Sequence, residues 1–290
     1  MYYLLSLFSG VLIAVMITLN GALSVTYGLH WATVFIHFTG LILIVILVLV
    51  KKEKPFAAWH PWWFYLGGAL GVLNTVFNNF AFGRISVSAI LALVLLGQSV
   101  TGLIIDHYGL WGVPKHAFSR GNLVGLLLIL AGIVPMLTEF EILAVTLSFA
   151  TGIGVVLSRT FNAKLSEVSS VGTSTFFHFF IGLLVALPVF FLLGEGETSL
   201  LGFRPTSGLY VYLGGLIGVT IIMLSNVIVL KIAAFFLTLF IFVGQVFTGV
   251  LIDALLDGAF SGRILFGGIL VTVGLGANLL LDRKREKSKE

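Results

Sequence analysis

The chain has 290 residues, of which 59% are hydrophobic and only 10% charged, with 34 Gly and a net charge of +4. A soluble globular protein carries about 25% charged residues and about 7% Gly, so this composition excludes a water-soluble enzyme and requires lipid as solvent. With no Cys, the chain also has no disulfides, thiolate catalysis or Cys-ligated metal.

Broken at Pro, at Gly-polar clusters and at charge, the sequence predicts ten transmembrane helices. They fall at about 3–22, 32–50, 62–82, 86–105, 121–138, 142–160, 173–193, 209–229, 232–252 and 264–281. The first apolar run carries no basic residue and is longer than a signal-peptide core, so it is expected to be retained. The stretches 62–105 and 209–252 are too long for one helix, and each has a basic residue near its middle, Arg84 or Lys231, where a short turn is placed.

Basic residues are preferentially retained on the cytoplasmic side. Counting alternate loops puts 13 of the 16 Lys and Arg on the side of both termini, including Arg159, at the end of the span 142–160, and Lys164 just after it. Only Arg84, Arg204 and Arg263 fall opposite. Both termini are therefore expected in the cytoplasm, and the pI of 9.4 reads as membrane orientation and not as affinity for a nucleic acid polymer.

The two halves resemble each other. LGGALGV at 66–72 recurs as LGGLIGV at 213–219, and GQSVTGLIID at 97–106 as GQVFTGVLID at 244–253, both at a shift of 147 residues. NGAL at 20–23 matches NAKL at 162–165, and Gly40 matches Gly182, at a shift of 142. The expected fold is an all-α integral membrane protein of two five-helix repeats, 1–138 and 139–281, with a charged cytoplasmic tail at 282–290. Five spans is an odd number, so the second copy is inserted with opposite topology, an arrangement that secondary transporters use to expose one midplane site alternately to each side.

The Asn-X-X-Leu of span 1 (Asn20 to Leu23), the aromatic-GGxxG entry to span 3 and the segment IDHYGLWGVP (Ile105 to Pro114) resemble the YdcZ-like family of the drug/metabolite transporter superfamily. The resemblance covers nearly the whole chain, as a fused pair of units of the size common in that family. It implies a multi-pass transporter of the bacterial cytoplasmic (inner) membrane. IDHYGLWGVP is degraded to IDALLDGAF in the second copy, and the Gln usual four residues before the span-1 Asn is Met16 here and Ser158 in the second copy.

No predicted span has an Asp or Glu in its interior, which disfavours a proton-coupled exporter of drugs or organic cations, the alternative function. The spans hold amides instead, and Asn20 with Asn162, Asn79 with Asn226, and Gln98 with Gln245 are repeat-related pairs. An amide both donates and accepts, so these six residues, with Ser158, are the candidate substrate-binding set for a neutral, planar, hydrogen-bonding solute such as a nucleobase. The 26 Phe and five Trp offer flat apolar walls for it. Gln98 and Gln245 each precede a Thr, Thr101 or Thr248, by three residues, which places amide and hydroxyl on one helical face. The same amides equally well join one helix to another, which is their role if the protein is a non-transporting structural or assembly factor.

Candidate coupling or gating residues are His37, His178, Arg84, Lys231, Asp106 and Asp253. His37 and His178 either titrate near neutral pH or bond a neighbouring carbonyl; the ungapped repeat sets Ile36, not His37, opposite His178. Arg84 and Lys231 either attract an anionic solute or cap a tight turn. Asp106 and Asp253 end their spans and are expected to meet a basic side chain or a helix N-terminus. GxxxG spacings at Gly67, Gly121 and Gly214 read as helix packing. The six His show no metal-binding spacing, and no cofactor is expected. The partners expected are a small-molecule substrate and the lipid bilayer. Because both repeats are fused, a monomer suffices, with a homodimer as the alternative.

Overall fold

The computed structural model describes residues 1–112, 141–197, 208–228 and 234–257, together with 126–127, 130–132, 262, 265–270, 272–273 and 276. Its helices are α1 (Tyr2–Tyr27), α2 (Leu29–Val50), α3 (Leu66–Ala81), α4 (Val87–Tyr108), α5 (Ile142–Val168), α6 (Val171–Leu193), α7 (Gly214–Ile228) and α8 (Ala234–Asp257). Among the described residues there is no β-strand, and six helices are long and apolar enough to cross a membrane. Eight of the ten expected spans thus meet a helix. The span at 121–138 lies mostly, and that at 264–281 half, outside the described residues, and Lys231, Gly121 and the side chain of Asp106 lie outside them altogether.

The helix breaks follow local chemistry. Gly28 separates α1 from α2 at φ 107, where a side chain would be strained. Ser86 caps α4, accepting from the Ala89 N–H at 3.2 Å, and Gly109 closes it in the left-handed region at φ 64. Short 3-10 turns, Trp62–Tyr65 and Leu209–Leu213, lead into α3 and α7 at matched places in the two copies.

Three carboxylates near helix C-termini fix relative directions by bonding the start of a helix in the other copy. Glu197, just beyond the C-terminus of α6, accepts from the backbone N–H of His30 and of Trp31 (2.8 Å) at the start of α2. Reciprocally Glu53, just beyond the C-terminus of α2, accepts from the hydroxyl of Ser170 at the start of α6, 2.6 Å away. The second helices of the two copies therefore run antiparallel. Asp253, near the C-terminus of α8, accepts from the N–H of Val87 (2.8 Å) and Ser88 (3.0 Å) at the start of α4, so the fourth helices are antiparallel as well.

Small residues let the copies interlock reciprocally. A Cβ added at Gly10 of α1 would lie 2.9 Å from the Gln245 nitrogen of α8, and one at Gly152 of α5 would lie 2.7 Å from the Gln98 nitrogen of α4. Each pair is the repeat image of the other. At these crossings backbones touch without intervening side chains, whereas Gly67 and Gly214 of the GxxxG spacings first meet the side chains of Asn162 and Asn20.

Candidate functional site

A cavity of about 180 Å³ lies where the copies meet. That space holds on the order of a dozen waters or one small organic molecule. Four lining residues come from α1, Ile13, Met16, Ile17 and Asn20, at spacings of three, one and three that place them on one helical face. The α5 contribution is Val155, Ser158, Arg159 and Asn162, each 142 residues further on. Likewise α2 gives Ile36 and His37, and α6 gives His178 and Phe179. From α3 come Gly71, Asn74, Thr75, Asn78 and Asn79, and from α7 Gly218, Ile221, Ile222, Ser225 and Asn226, each 147 residues further on. Gln98 of α4 and Gln245 of α8 complete the set, and Val94 is the one lining residue whose equivalent is absent from it. Twelve repeat-related pairs thus line one space.

All seven sequence-predicted binding residues, Asn20, Asn79, Gln98, Ser158, Asn162, Asn226 and Gln245, face this cavity and are buried. Their polar atoms are not equally free. The Ser158 hydroxyl donates to the Gly67 carbonyl at 2.8 Å, which ties α5 to α3. Asn162 donates to Nδ1 of His178 at 3.1 Å. By contrast Oδ1 of Asn20 and of Asn78, and Nδ2 of Asn79 and of Asn226, are buried without a hydrogen-bond partner. Buried polar groups in folded proteins are nearly always paired, so four orphans around one cavity indicate a polar guest or ordered water.

His37 and His178 both line the cavity, with ring centroids 6.4 Å apart. His37 Nδ1 donates to the Thr33 carbonyl at 2.8 Å, the local bond of the simpler reading, and this directs Nε2 away from that bond as an acceptor. Gly71 gives room for the His178 ring and Gly182 for the His37 ring.

The other candidates lie elsewhere. Arg84 does not line the cavity: its guanidinium stacks 3.9 Å over Phe80, donates to the Phe80 carbonyl and stands 3.6 Å from Glu141. That is the turn-capping role. Asp253 caps α4 as described, the helix N-terminus expected for it. Lys231 and the Asp106 side chain are outside the described residues. Thr101 and Thr248 are absent from the described lining, and the Thr101 hydroxyl is turned back onto the Gly97 carbonyl at 2.7 Å, so it does not join Gln98 at the cavity. Among the described residues the aromatic walls are sparser than expected, Phe179 being the single Phe or Trp in the lining.

Sequence reasoning missed Arg159. It was counted as a loop cation, but α5 continues to Val168, and Arg159 faces the cavity between Ser158 and Asn162. Its spacing from Asn162 is that of Ile17 from Asn20, and the repeat alignment carried this signal. Among the described residues no Asp or Glu lines the cavity, and no group of three His, Cys, Asp or Glu is placed to hold a metal ion.

Helices in two reciprocal sets around a polar cavity define a polytopic membrane protein built from a repeat. The family model described as "Putative inner membrane exporter, YdcZ" matches residues 1–135 and again 143–280, one match per copy, and the chain belongs to that family. It is thus a multi-pass inner-membrane protein. No curated protein matches it. Among solved structures, one whose title reads only "Crystal structure of protein" is 16% identical, with 98% of each chain covered and a TM-score of 0.69. At that identity the likeness extends to the fold alone.

Proposed function

We propose that this protein is a secondary transporter that carries a small polar organic solute through the central cavity by alternating access, and that it is not a catalyst. The observation carrying this reading is the twelvefold pairing of the lining. When two equivalent halves exchange conformations, a site made of equivalent residues is rebuilt facing the other side. In this reading the copies are 1–138 and 139–281, five helices each and oppositely inserted, followed by the charged tail at 282–290. Both termini are cytoplasmic; with Arg159 removed from the loops, 12 of the remaining 15 basic residues still lie on that side. The chain works as a monomer, because it contains both orientations.

Asn20, Asn79, Asn226, Gln98 and Gln245 hold the solute, with Asn162 positioned by His178. Asp253 and the two imidazoles serve gating and coupling. A nucleobase-like ring is the specific form proposed for the solute, because Phe179 and the imidazoles supply its flat contacts and the amides read its edge. The family description favours export. An organic cation fits less well, since an Arg and no described carboxylate faces the cavity.

The test is reconstitution in liposomes with labelled nucleobases, amino acids and organic cations. Saturable counterflow of a polar solute is expected, competed by the same unlabelled compound. Absence of flux for every class would contradict the reading.

A further inference from the structure

We infer that the transported solute carries an anionic group, a carboxylate or a similar small oxyanion, and that Arg159 is the residue that receives it. The inference rests on the transport reading above and gives it a charge and a point of attachment.

Arg159 lies on α5, eighteen residues into a helix of 27, on the stripe that also presents Ser158 and Asn162 to the cavity. It is partly buried, and among the described residues no carboxylate stands within salt-bridge distance of it. The contrast with its neighbours is chemical. Arg84 is paired with Glu141, and Lys164, five residues along the same helix, reaches Glu167 at 3.2 Å. A guanidinium held in a membrane bundle without a counter-ion is costly, and such residues face the interior and mark solute pathways. Its planar fork of donors matches a carboxylate in two parallel hydrogen bonds.

The surroundings allow a ligand of that shape. Asn162 is fixed by His178, and four further amide atoms in the lining have no partner, two of them acceptors and two donors. They can bond the polar edge of a body whose acidic group sits on Arg159. The expectation of a neutral solute followed from the amides alone, with Arg159 counted among the cytoplasmic cations. With Arg159 in the cavity, the amides still read a neutral edge, but the ligand as a whole is acidic. The repeat sharpens the assignment, because the equivalent of Arg159 is Ile17, so the cation is presented by one half alone.

The test uses matched pairs that differ by one carboxylate, nicotinate against nicotinamide and orotate against uracil, in thermal-shift titrations and in liposome counterflow with the full chain. Anything that binds the folded state raises its apparent stability. The acid of at least one pair is expected to bind about 10- to 150-fold more tightly than its neutral partner, the range for a hydrogen bond to a charged group. Arg159→Gln is expected to erase that preference, bringing the ratio of acid to neutral affinity to about one, and Arg159→Lys to retain part of it. Without ligand, Arg159→Gln should melt at or above the parent temperature, because it removes an unpaired charge; a large fall would make Arg159 a structural residue and overturn the inference. Equal or tighter binding of the neutral members by the parent protein, which needs no variant, would sink the anionic subsite and leave the transport reading standing. If no pair binds in either form, the subsite falls as proposed, and if no solute of any class moves, both readings fall together.

Discussion

Ile17 of α1 and Arg159 of α5 are the same position in the two copies, and both face one cavity, the first as an apolar wall and the second as a cation. Around them the equivalent positions are often identical, Asn20 with Asn162, Asn79 with Asn226, Gln98 with Gln245 and Gly71 with Gly218. Identical pairs can trade roles when the halves exchange conformations, whereas Arg159 stays with its own half. The polar frame is symmetric and the charge is not.

That symmetry gives the first prediction. Gln98→Ala and Gln245→Ala should each weaken solute affinity by about 2- to 12-fold, the yield of one ordinary hydrogen bond, with the two values alike. Titration of a transported solute against each variant by thermal shift reads this. If both variants fold and bind like the parent, the site is misplaced.

Close approach gives the second. The side-chain oxygen of Asn20 rests against Gly214, and that of Asn162 against Gly67, where an added Cβ would overlap it. In an unobstructed helix Gly→Ala stabilises by up to about 1 kcal/mol. Here Gly67→Ala and Gly214→Ala should each destabilise by about 1–3 kcal/mol through overpacking, seen as a lower melting temperature in detergent. A rise in melting temperature would show that the amides are free to move aside.

The Asp253 carboxylate accepts from two N–H groups at the start of α4, and Asp253 is not among the described residues that line the cavity. Asp253→Ala should therefore cost about 1–3 kcal/mol of stability, the penalty for stranding buried donors, while solute affinity of the folded fraction is unchanged. A selective loss of affinity at parental stability would instead move Asp253 into the site.

Glu197 and Glu53 make a reciprocal pair of caps at opposite ends of α2 and α6. Removing one cap weakens one end of the bundle only. Glu197→Ala should speed hydrogen exchange at His30 and Trp31, by about tenfold or more for a lost charge-assisted bond, and leave Thr173 protected. Glu53 acts on α6 through the Ser170 hydroxyl, which itself holds the Thr173 N–H, so Glu53→Ala should speed exchange at Thr173 by a smaller factor and leave His30 and Trp31 protected. Uniform acceleration at both ends would contradict the separate roles of the two caps.

The fold was legible where hydropathy and repetition coincide. Eight helices lie where apolar runs predicted them, and the matched motifs located the amides that face the cavity. Helix ends were less legible, because backbone hydrogen bonds continue through polar side chains that find local partners. Past residue 22, Ser24 and Thr26 turn their hydroxyls onto the carbonyls of Gly21 and Ala22, and α1 runs on to Tyr27. Past 160, Lys164 pairs with Glu167, and α5 ends only where Ser170 caps α6 through the Thr173 N–H at 2.9 Å. Reading a charge as a helix end is what hid Arg159. A helix N-terminus was expected for Asp253, but which helix it meets, and the roles of Glu53 and Glu197, were not legible, since all three find their partners in the other copy.

Alternation at one shared cavity is the central claim, and because the chain has no Cys it can be read with a single reporter. Ser225 lines the cavity and is buried, and Ser225→Cys is nearly isosteric. In liposomes with the protein inserted in one known direction, a membrane-impermeant maleimide is applied from outside or trapped inside. The account predicts labelling from both sides, with a saturating transported solute protecting against each. Labelling from one side only, at any solute concentration, would contradict it.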